Sequence, residues 1–151
     1  MKITEKEARK QLEYLEKISS NTNWFTHCIG VGRAAGRIAE ALKEKGYNID
    51  VEKTIVLGYF HDIGKHNGES HGHVMRGYEY LKSLGYEEEY CNICLTHSYL
   101  NNDITCTAGG IPDPKKNPFL TNFIKNHEYT LEEKLINLCD FIFESFMELT
   151  S

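Results

Sequence analysis

The chain has 151 residues, a formal net charge of −5 and a sequence pI near 5.8. This length fits one domain with a buried core, and the acidic balance argues against general affinity for nucleic acid or anionic membranes, because phosphate-driven binding requires a basic face. Charged residues follow Met1 where a signal peptide would carry its apolar core, and no apolar run reaches membrane-spanning length, so we expect a soluble cytoplasmic protein.

Apolar residues recur at helical spacing along most of the chain, and this periodicity predicts an all-α fold. Thr4 and Glu7 form a capping box before a first helix that ends near residues 19–21. A second helix is predicted from about Asn23 to Lys45. Its predicted inward face carries His27, Val31, Ala34, Ala35, Ile38 and Leu42. The second helix therefore brings a histidine to the core.

A third helix is predicted to begin at its N-cap, Asp50, and to end in the segment His61-Asp62-Ile63-Gly64, where Gly64 relieves the backbone. Apolar residues surround the histidine and the aspartate, so both side chains are expected to leave water. Burial of such groups is costly unless a charge partner, hydrogen bonds or a metal compensates. The His61-Asp62 pair therefore predicts a partner elsewhere in the chain.

Two further helices are predicted in the middle of the chain. Residues 66–72 are polar and glycine-rich, which predicts a loop, and a fourth helix follows near residues 73–84 with His73 on its inward face. A fifth helix is predicted over residues 87–99, and His97 lies on its inward side. Two more histidines are thus expected to face the core.

Helical spacing lapses from Asn101 to Pro118, a stretch that holds all three prolines. Asp103 and residues 105–116 are candidates for a lid or pocket wall, although no motif within the stretch supports that role. A last long helix is predicted to begin at Thr130, which forms a capping box with Glu133. Its predicted buried face includes Leu135, Leu138, Ile142 and Phe146, and Asp140 lies inside the same apolar run.

The five cysteines are odd in number and mostly lie in helix-like apolar patterns, as Cys28, Cys94 and Cys139 show. This placement fits reduced core thiols better than a disulfide framework. Cys91 and Cys94 form a C-x-x-C sequence, but no second such motif accompanies it and no thioredoxin-like strand pattern surrounds it. We therefore favour a core role for these thiols over a redox or zinc site.

Separate predicted elements thus bring histidine or aspartate to inward positions. These residues are His27, His61 with Asp62, His73, His97 and Asp140. One such residue alone is more often a hydrogen-bonded core group, but the set together favours a metal site. Imidazole and carboxylate ligands suit divalent iron, manganese, nickel, zinc, cobalt or magnesium, and the lack of thiolate ligands disfavours structural zinc. We expect a catalytic site with open coordination positions.

An early histidine, an adjacent His-Asp pair and a late aspartate on a later helix resemble the pattern of the HD-domain superfamily. Here these residues are His27, His61, Asp62 and Asp140, and residues 61–64 spell the HDIG variant. The resemblance implies an all-α, phosphodiesterase-like helical bundle in which these four residues hold one divalent metal at a buried site.

The resemblance also implies a domain organisation. The whole chain, residues 1–151, would form a single HD domain. Its core would span about residues 22–146, with the N-terminal helix of about residues 4–19 packed on it.

A subset of the superfamily adds two histidines and binds a second metal, with the central aspartate bridging the two ions. His73 and His97 match those positions. His71 competes for the first of them, but His73 stands four residues before Gly77, at the family's small-residue position. The remaining histidines match no family role and are expected to face solvent: His66 and His127. The resemblance therefore favours one or two divalent ions as cofactor, and of these a dinuclear site.

The function that the resemblance implies is a metal-dependent phosphohydrolase that uses a metal-activated hydroxide on a phosphomonoester, phosphodiester or nucleotide. Asp62 would position the metals and the hydroxide, and Lys65 would contact the substrate phosphate. Lys65 equally fits an exposed lysine near a helix C-terminus, where the helix dipole favours it. Arg76 and Arg33 are weaker candidates for binding phosphate. We expect small phosphorylated metabolites or nucleotides as substrates, and neither a nucleic acid polymer nor a membrane as partner.

Two other functions compete with hydrolysis. Some superfamily members use the same six ligands in a di-iron oxygenase, so ligands alone leave that activity open. A catalytically inactive regulatory module is a third interpretation, which the retention of all six ligand positions and Lys65 disfavours. Separately, Phe141, Phe143 and Phe146 give the last helix more apolar positions than one face needs, which suggests a homodimer.

Overall fold

The computed structural model describes residues 1–106 and 111–150, and the side chains of residues 1–106 and 111–145. The fold is all-α, as the periodicity predicted. The α-helices of these residues are α1 Glu5–Ile18, α2 Asn23–Glu44, α3 Val51–Phe60, α4 His73–Ser83, α5 Glu88–Cys91, α6 Ile93–Thr96, α7 Pro118–Asn126 and α8 Leu131–Thr150. Short 3-10 helices occupy Ile63–Asn67 and Leu100–Asn102.

The predicted helix starts follow from local hydrogen bonds. Thr4 Oγ1 accepts a hydrogen bond from the Glu7 amide at 3.2 Å, and Asp50 accepts one from the amide three residues later at 3.0 Å. At the start of α8 the capping box has both of its hydrogen bonds. The Glu133 amide donates to Thr130 Oγ1 at 3.1 Å, and the Thr130 amide donates to the Glu133 carboxylate at 3.0 Å. Each bond satisfies an amide that the first helical turn leaves without a partner.

The helix predicted over residues 87–99 is shorter and divided. It consists of α5 and α6, which meet at Asn92, and it ends before His97. His97 is nevertheless buried, as predicted, and so are Tyr90 and Ile93 on the same side. The division therefore leaves the histidine on the core side.

Helix α7 was missed in the sequence. The Asn117 side chain accepts a hydrogen bond from the Leu120 amide at 3.1 Å, and Pro118 occupies the first turn, where its missing N–H is not needed. Leu120 and Ile124 are buried in a second small core cluster with residues of α4 and α6. An Asn-Pro pair before apolar residues four apart was the available signal.

The core lies around α3, which packs against α1, α2 and α8. Helices α2 and α3 touch through their backbones, because a Cβ added at Gly58 would lie 2.4 Å from the Gly32 Cα. Tyr59 and Phe60, at the end of α3, are fully buried. The chain therefore delivers the next two residues, His61 and Asp62, to the centre of the molecule.

The predicted inward face of α8 is partly wrong. Leu135 is buried, but Leu138 and Ile142 are 50% and 49% exposed, and the side chain of Phe146 lies outside the described residues. Asp140 points inward, and residues two positions away on a helix point to nearly the opposite side. The buried positions instead share the face of Asp140: Glu133, Ile136, Asn137 and Cys139.

Gly64 has a different role from the predicted backbone relief. The positive-φ glycines of the described chain are Gly46, Gly68, Gly72 and Gly85, so Gly64 is not among them. A Cβ at Gly64 would lie 1.9 Å from the His73 carbonyl oxygen and 2.7 Å from the Gly77 amide nitrogen. Gly64 therefore allows the 3-10 helix that follows Asp62 to lie directly against α4.

His66 and His127 were expected to face solvent, but both are partly buried. His66 is half-buried and its ring lies 5.5 Å from that of Tyr80. His127 is also half-buried, stacks on Phe123 at 4.8 Å and bonds to the buried Glu133 carboxylate at 2.9 Å. Their partners give both histidines structural roles.

The C-x-x-C cysteines belong to the core. Cys91 and Cys94 are buried and donate S–H hydrogen bonds to the carbonyl oxygens of Tyr86 and Phe60, each at 3.4 Å. Cys28 and Cys139 are buried as well. These positions agree with the prediction of core thiols.

Within the residues that the structure describes, no helix combines the length and the apolar character that a bilayer crossing would require.

Candidate metal centre

The first group of predicted ligands converges from three elements. His27 comes from the first half of α2, His61 and Asp62 from the end of α3, and Asp140 from α8. His27 Nε2 lies 2.8 Å from Asp140 Oδ1, 3.1 Å from His61 Nε2 and 3.4 Å from Asp62 Oδ2. His61 Nε2 lies 3.5 Å from both carboxylates. Four possible ligand atoms therefore surround one small volume.

A second group lies on the other side of Asp62. His73, the first residue of α4, and His97, just after α6, place their Nε2 atoms 3.3 Å apart. These atoms lie 3.3 Å and 3.0 Å from Asp62 Oδ1. The competing His71 is exposed, and its carbonyl oxygen accepts a hydrogen bond from Arg76.

Asp62 joins the two groups through different oxygen atoms. Its Oδ2 faces His27 and His61, whereas its Oδ1 faces His73 and His97. Its side chain is 3% exposed, so protein groups supply nearly all of its surroundings. This is the arrangement that a carboxylate bridging two ions requires.

Backbone carbonyls fix which nitrogen of three histidines faces the centre. His61 Nδ1 donates to the Gly58 carbonyl at 2.5 Å, His73 Nδ1 to the Ser70 carbonyl at 2.7 Å and His97 Nδ1 to the Ile93 carbonyl at 2.9 Å. A carbonyl can only accept, so Nδ1 carries a proton, and when the ring is neutral its Nε2 lone pair points inward. Metal-binding histidines are commonly oriented in this way.

The donor set fits a divalent metal. Nitrogen and oxygen atoms that share one ion at about 2.0–2.2 Å stand about 2.8–3.6 Å apart at octahedral or tetrahedral angles. The separations of 2.8 to 3.5 Å in the first group lie close to that range. Facing lone pairs and carboxylates also repel one another unless a positive charge lies between them. Two sets of residues could therefore hold an ion: His27, His61, Asp62 and Asp140, and Asp62, His73 and His97.

Charges within the centre shift the pKa values strongly. Burial alone would lower the pKa of His61, but the carboxylates of Asp62 and Asp140 outweigh it and raise that pKa to about 9. Burial would raise the pKa of both carboxyl groups, but the surrounding histidines hold the pKa of each well below its ordinary value. In the absence of metal, a proton on His61 thus supplies the positive charge that the carboxylates require.

This proton predicts how pH affects the metal-free protein. The folded pKa of His61, about 9, exceeds the unfolded value of about 6.5, so the charge stabilises the fold below about pH 6.5 and the stabilisation is lost as pH rises through 9. The loss is about 3 kcal/mol. We expect the gain in Tm on adding Mn²⁺ to grow between pH 6.5 and 9, measured by thermal unfolding with Mn²⁺ or with EDTA. The same gain at every pH in the native protein would contradict this assignment.

Two cavities of the described structure open onto the centre. One, of about 260 Å³, lies beside His27, and the other, of about 490 Å³, lies beside His73 and His97. The residues lining both are Asp62, Lys65, Ser70 and Glu144. A small ligand could therefore approach the two groups of ligand atoms from either side of Asp62.

Lys65 is a positively charged residue in the part of the wall that the two cavities share. Its Nζ lies 3.2 Å from Asp62 Oδ2, and its side chain is 27% exposed. Burial alone would lower the pKa of Lys65, but Asp62 and Asp140 raise it, so the ammonium group stays charged near neutral pH. Of its two sequence interpretations, the exposed lysine is therefore the poorer description.

The two arginine candidates lie elsewhere. Arg76 donates to the carbonyl oxygens of Gly64 and His71, each at 2.6 Å, and so fastens the segment between the His-Asp pair and α4. Arg33 is exposed and acts electrostatically on Tyr59, whose hydroxyl bonds to Glu5 of α1. Neither arginine lines the two cavities at the metal centre, whose walls come from described residues.

The segment from Asn101 to Pro118 contributes part of one wall. Cys106 lines the larger cavity together with Leu100, which precedes the segment. Asp103 instead holds a local turn, accepting from the Thr105 amide at 2.9 Å. Residues 107–110 lie outside the described structure.

Among the residues at the centre that sequence reasoning missed is a carboxylate, Glu144. Glu144 lines both cavities and lies one helical turn after Asp140 on α8. Its spacing of four residues from a predicted inward aspartate was a signal for a shared helix face. The carboxylates of the centre thus extend beyond the predicted ligands.

The sequence model of the HD domain family matches residues 24–142. An uncharacterized protein of Methanocaldococcus jannaschii is 36% identical over 91 residues, which make up 60% of this chain and 53% of that protein. This chain thus matches about half the length of that relative. No solved structure matches it significantly. The family model covers most of the sequence, including His27 and Asp140, the first and last residues of the first ligand group. The chain therefore belongs to the HD domain family.

Proposed function

We propose that this protein is a dinuclear, metal-dependent phosphohydrolase that acts on small phosphorylated metabolites or nucleotides. HD domain proteins bind divalent metals, and the histidine and aspartate groups here are placed for a metal. The proposal rests on the geometry of Asp62, whose two carboxylate oxygens face separate groups of imidazole nitrogens. Such a centre, open to two cavities, suits phosphoryl transfer to water.

The bound ions and the residues around them would have different roles in the proposed hydrolysis. Bound divalent ions would lower the pKa of water and neutralise charge on the phosphoryl oxygens. Asp62 would fix the spacing of the two ion positions, and the backbone-bound histidines would keep their lone pairs directed inward. Lys65 would place a fixed positive charge in the cavity wall, where the phosphoryl group gains negative charge in the transition state. A side-chain nucleophile is not required.

A direct test combines elemental analysis with activity. The purified protein would be analysed for bound metals, reloaded with each candidate ion and screened with phosphomonoesters, phosphodiesters and nucleotides under anaerobic conditions. Phosphate release without oxygen is the expected result. A metal-loaded protein that turns over only with oxygen, with a mixed-valence iron signal, would show the oxygenase instead. A loaded protein inert in both assays would show a regulatory module.

Lys65 provides a second prediction. Lys65→Gln should lower kcat by about 10²–10³-fold, because it removes a positioned charge that stabilises the transition state. Metal content should stay unchanged, since Lys65 carries no lone pair toward the ions while it is protonated. Steady-state kinetics with equal metal loading would measure the effect.

Lys53→Gln is the matched control for Lys65. Lys53 is similarly buried, with an 18% exposed side chain, but it pairs with Glu89 at 3.1 Å, away from the cavities. Its replacement should leave kcat nearly unchanged. Equal kcat values for the Lys65 variant and this control would remove Lys65 from the catalytic machinery.

A further inference from the structure

Glu144 faces the reaction space without belonging to either group of ligand atoms. It lines the cavity beside His27 and the cavity beside His73, in both cases together with Asp62 and Lys65. It is absent from the two sets of described residues whose atoms lie close enough to share an ion. A carboxyl group therefore stands at the wall that a substrate in either cavity would contact.

Packing of the preceding residue fixes this position. The Phe143 ring meets the His27 ring edge-on, with centroids 6.2 Å apart. It also fills the space above Gly30, where an added Cβ would lie 2.7 Å from the ring. Helix α8 is thus held against α2 next to Glu144, which fixes the backbone from which this side chain reaches both cavities.

The surroundings of Glu144 raise the pKa of its carboxyl group. Burial and the negative charge of Asp140 raise its pKa, and Asp62 adds to this, while His27 and Lys65 oppose the shift. A permanently ionised carboxylate would repel a phosphate, whereas a carboxylic acid can donate a hydrogen bond to it. The leaving oxygen of an alkyl phosphate also requires a proton as its bond to phosphorus breaks. Neither Asp62 nor Asp140 fits this need, because both belong to the residues that could hold an ion.

We propose that Glu144 is the general acid that protonates the leaving group, an inference that rests on the phosphohydrolase function proposed above. The oxygen of water forms a bond to phosphorus as the bond between phosphorus and the leaving oxygen breaks. The Glu144 carboxyl proton passes to that leaving oxygen, which departs as an alcohol. The proton lost by the attacking water returns the Glu144 carboxylate to its acid form, so one water is consumed per ester cleaved.

The experiment compares leaving groups in Glu144→Gln. A series of aryl and alkyl phosphates, from p-nitrophenyl phosphate to ethyl phosphate, would be assayed with the metal-loaded protein. For ethyl phosphate, kcat should fall by about 10²–10⁴-fold, the usual contribution of a general acid. For p-nitrophenyl phosphate kcat should change little, because p-nitrophenolate leaves without a proton. Metal content, measured in parallel, should equal that of the native protein.

Glu69→Gln serves as the electrostatic control. Glu69 lines only the smaller cavity of these two, so this change replaces a carboxyl group by an amide at a different position. It should alter kcat by the same factor across the series. If Glu144→Gln also lowered kcat equally for all esters, or left ethyl phosphate unaffected, Glu144 would not be the general acid. If the native metal-loaded protein released phosphate neither from these esters nor from phosphodiesters or nucleotides, the proposed function would fail and this inference with it.

Discussion

Asp62→Asn is expected to leave the protein with neither bound metal nor phosphatase activity. The substitution keeps the shape of the side chain but removes the charge that both groups of histidines face. Loss of a hydrogen-bonding partner behind a metal ligand typically costs ten- to hundredfold in affinity or activity, so loss of a shared ligand should cost at least about a thousandfold. Elemental analysis and phosphate release would measure both effects, with circular dichroism to establish that the helices remain.

Two comparison variants test the bridging role itself. Asp140→Asn alters only the first group of ligand atoms, and His97→Asn alters only the second. Each should therefore retain the ion of the other group, whereas the Asp62 variant retains none. If Asp62→Asn kept one ion and His97→Asn kept two, Asp62 would not be the bridge.

Gly64→Ala is expected to lower the free energy of unfolding by about 3 kcal/mol or more, the upper end of the cost of overpacking. The added methyl group would meet the His73 carbonyl oxygen at 1.9 Å and the Gly77 amide nitrogen at 2.7 Å. Both atoms belong to the backbone of α4, so relief requires movement of the helix that carries His73. Affinity for the second ion should fall as well. Urea unfolding and metal titration would measure the two losses.

Gly46→Ala is the control for this substitution. Gly46 has a φ of +95° but no neighbouring atom within 4 Å of an added Cβ. Its replacement should cost only about 1–2 kcal/mol, the strain of a left-handed backbone, and should leave metal binding unchanged. Equal losses in the two variants would contradict the role assigned to the contact between Gly64 and α4.

The parts of the fold that were predicted correctly are set by interactions between residues close together in the sequence. The caps at Thr4, Asp50 and Thr130 are hydrogen bonds over three residues, so short patterns identify them. The structure also brings the six proposed ligands together in two groups, as the apolar sequence around them and the family pattern led us to expect. Whether they bind metal stays a prediction.

The parts that were missed depend on contacts distant in sequence. Leu138 and Ile142 were placed inside because apolar spacing alone does not show that Asp140 faces the core. Arg76 was a candidate for phosphate, yet it binds the backbone carbonyls of the loop that precedes its own helix. The homodimer stays a prediction as well, although Phe141, at 64% exposure, leaves apolar surface on α8.

The two groups of ligands differ in how much chain they span. Asp62, His73 and His97 lie within one continuous stretch, whereas His27 and Asp140 are separated by 113 positions. An ion in the first group would act as a removable cross-link between the early and late parts of the polypeptide. Bringing the two ends of so long a loop together costs conformational entropy, and the bound ion would offset part of that cost. Release of that ion would leave α8 held by its packing, to which the buried Leu135, Ile136 and Cys139 contribute. The first ion would thus add to the stability of the contact between the early and late parts of the chain, whereas the second ion joins residues of the middle stretch only.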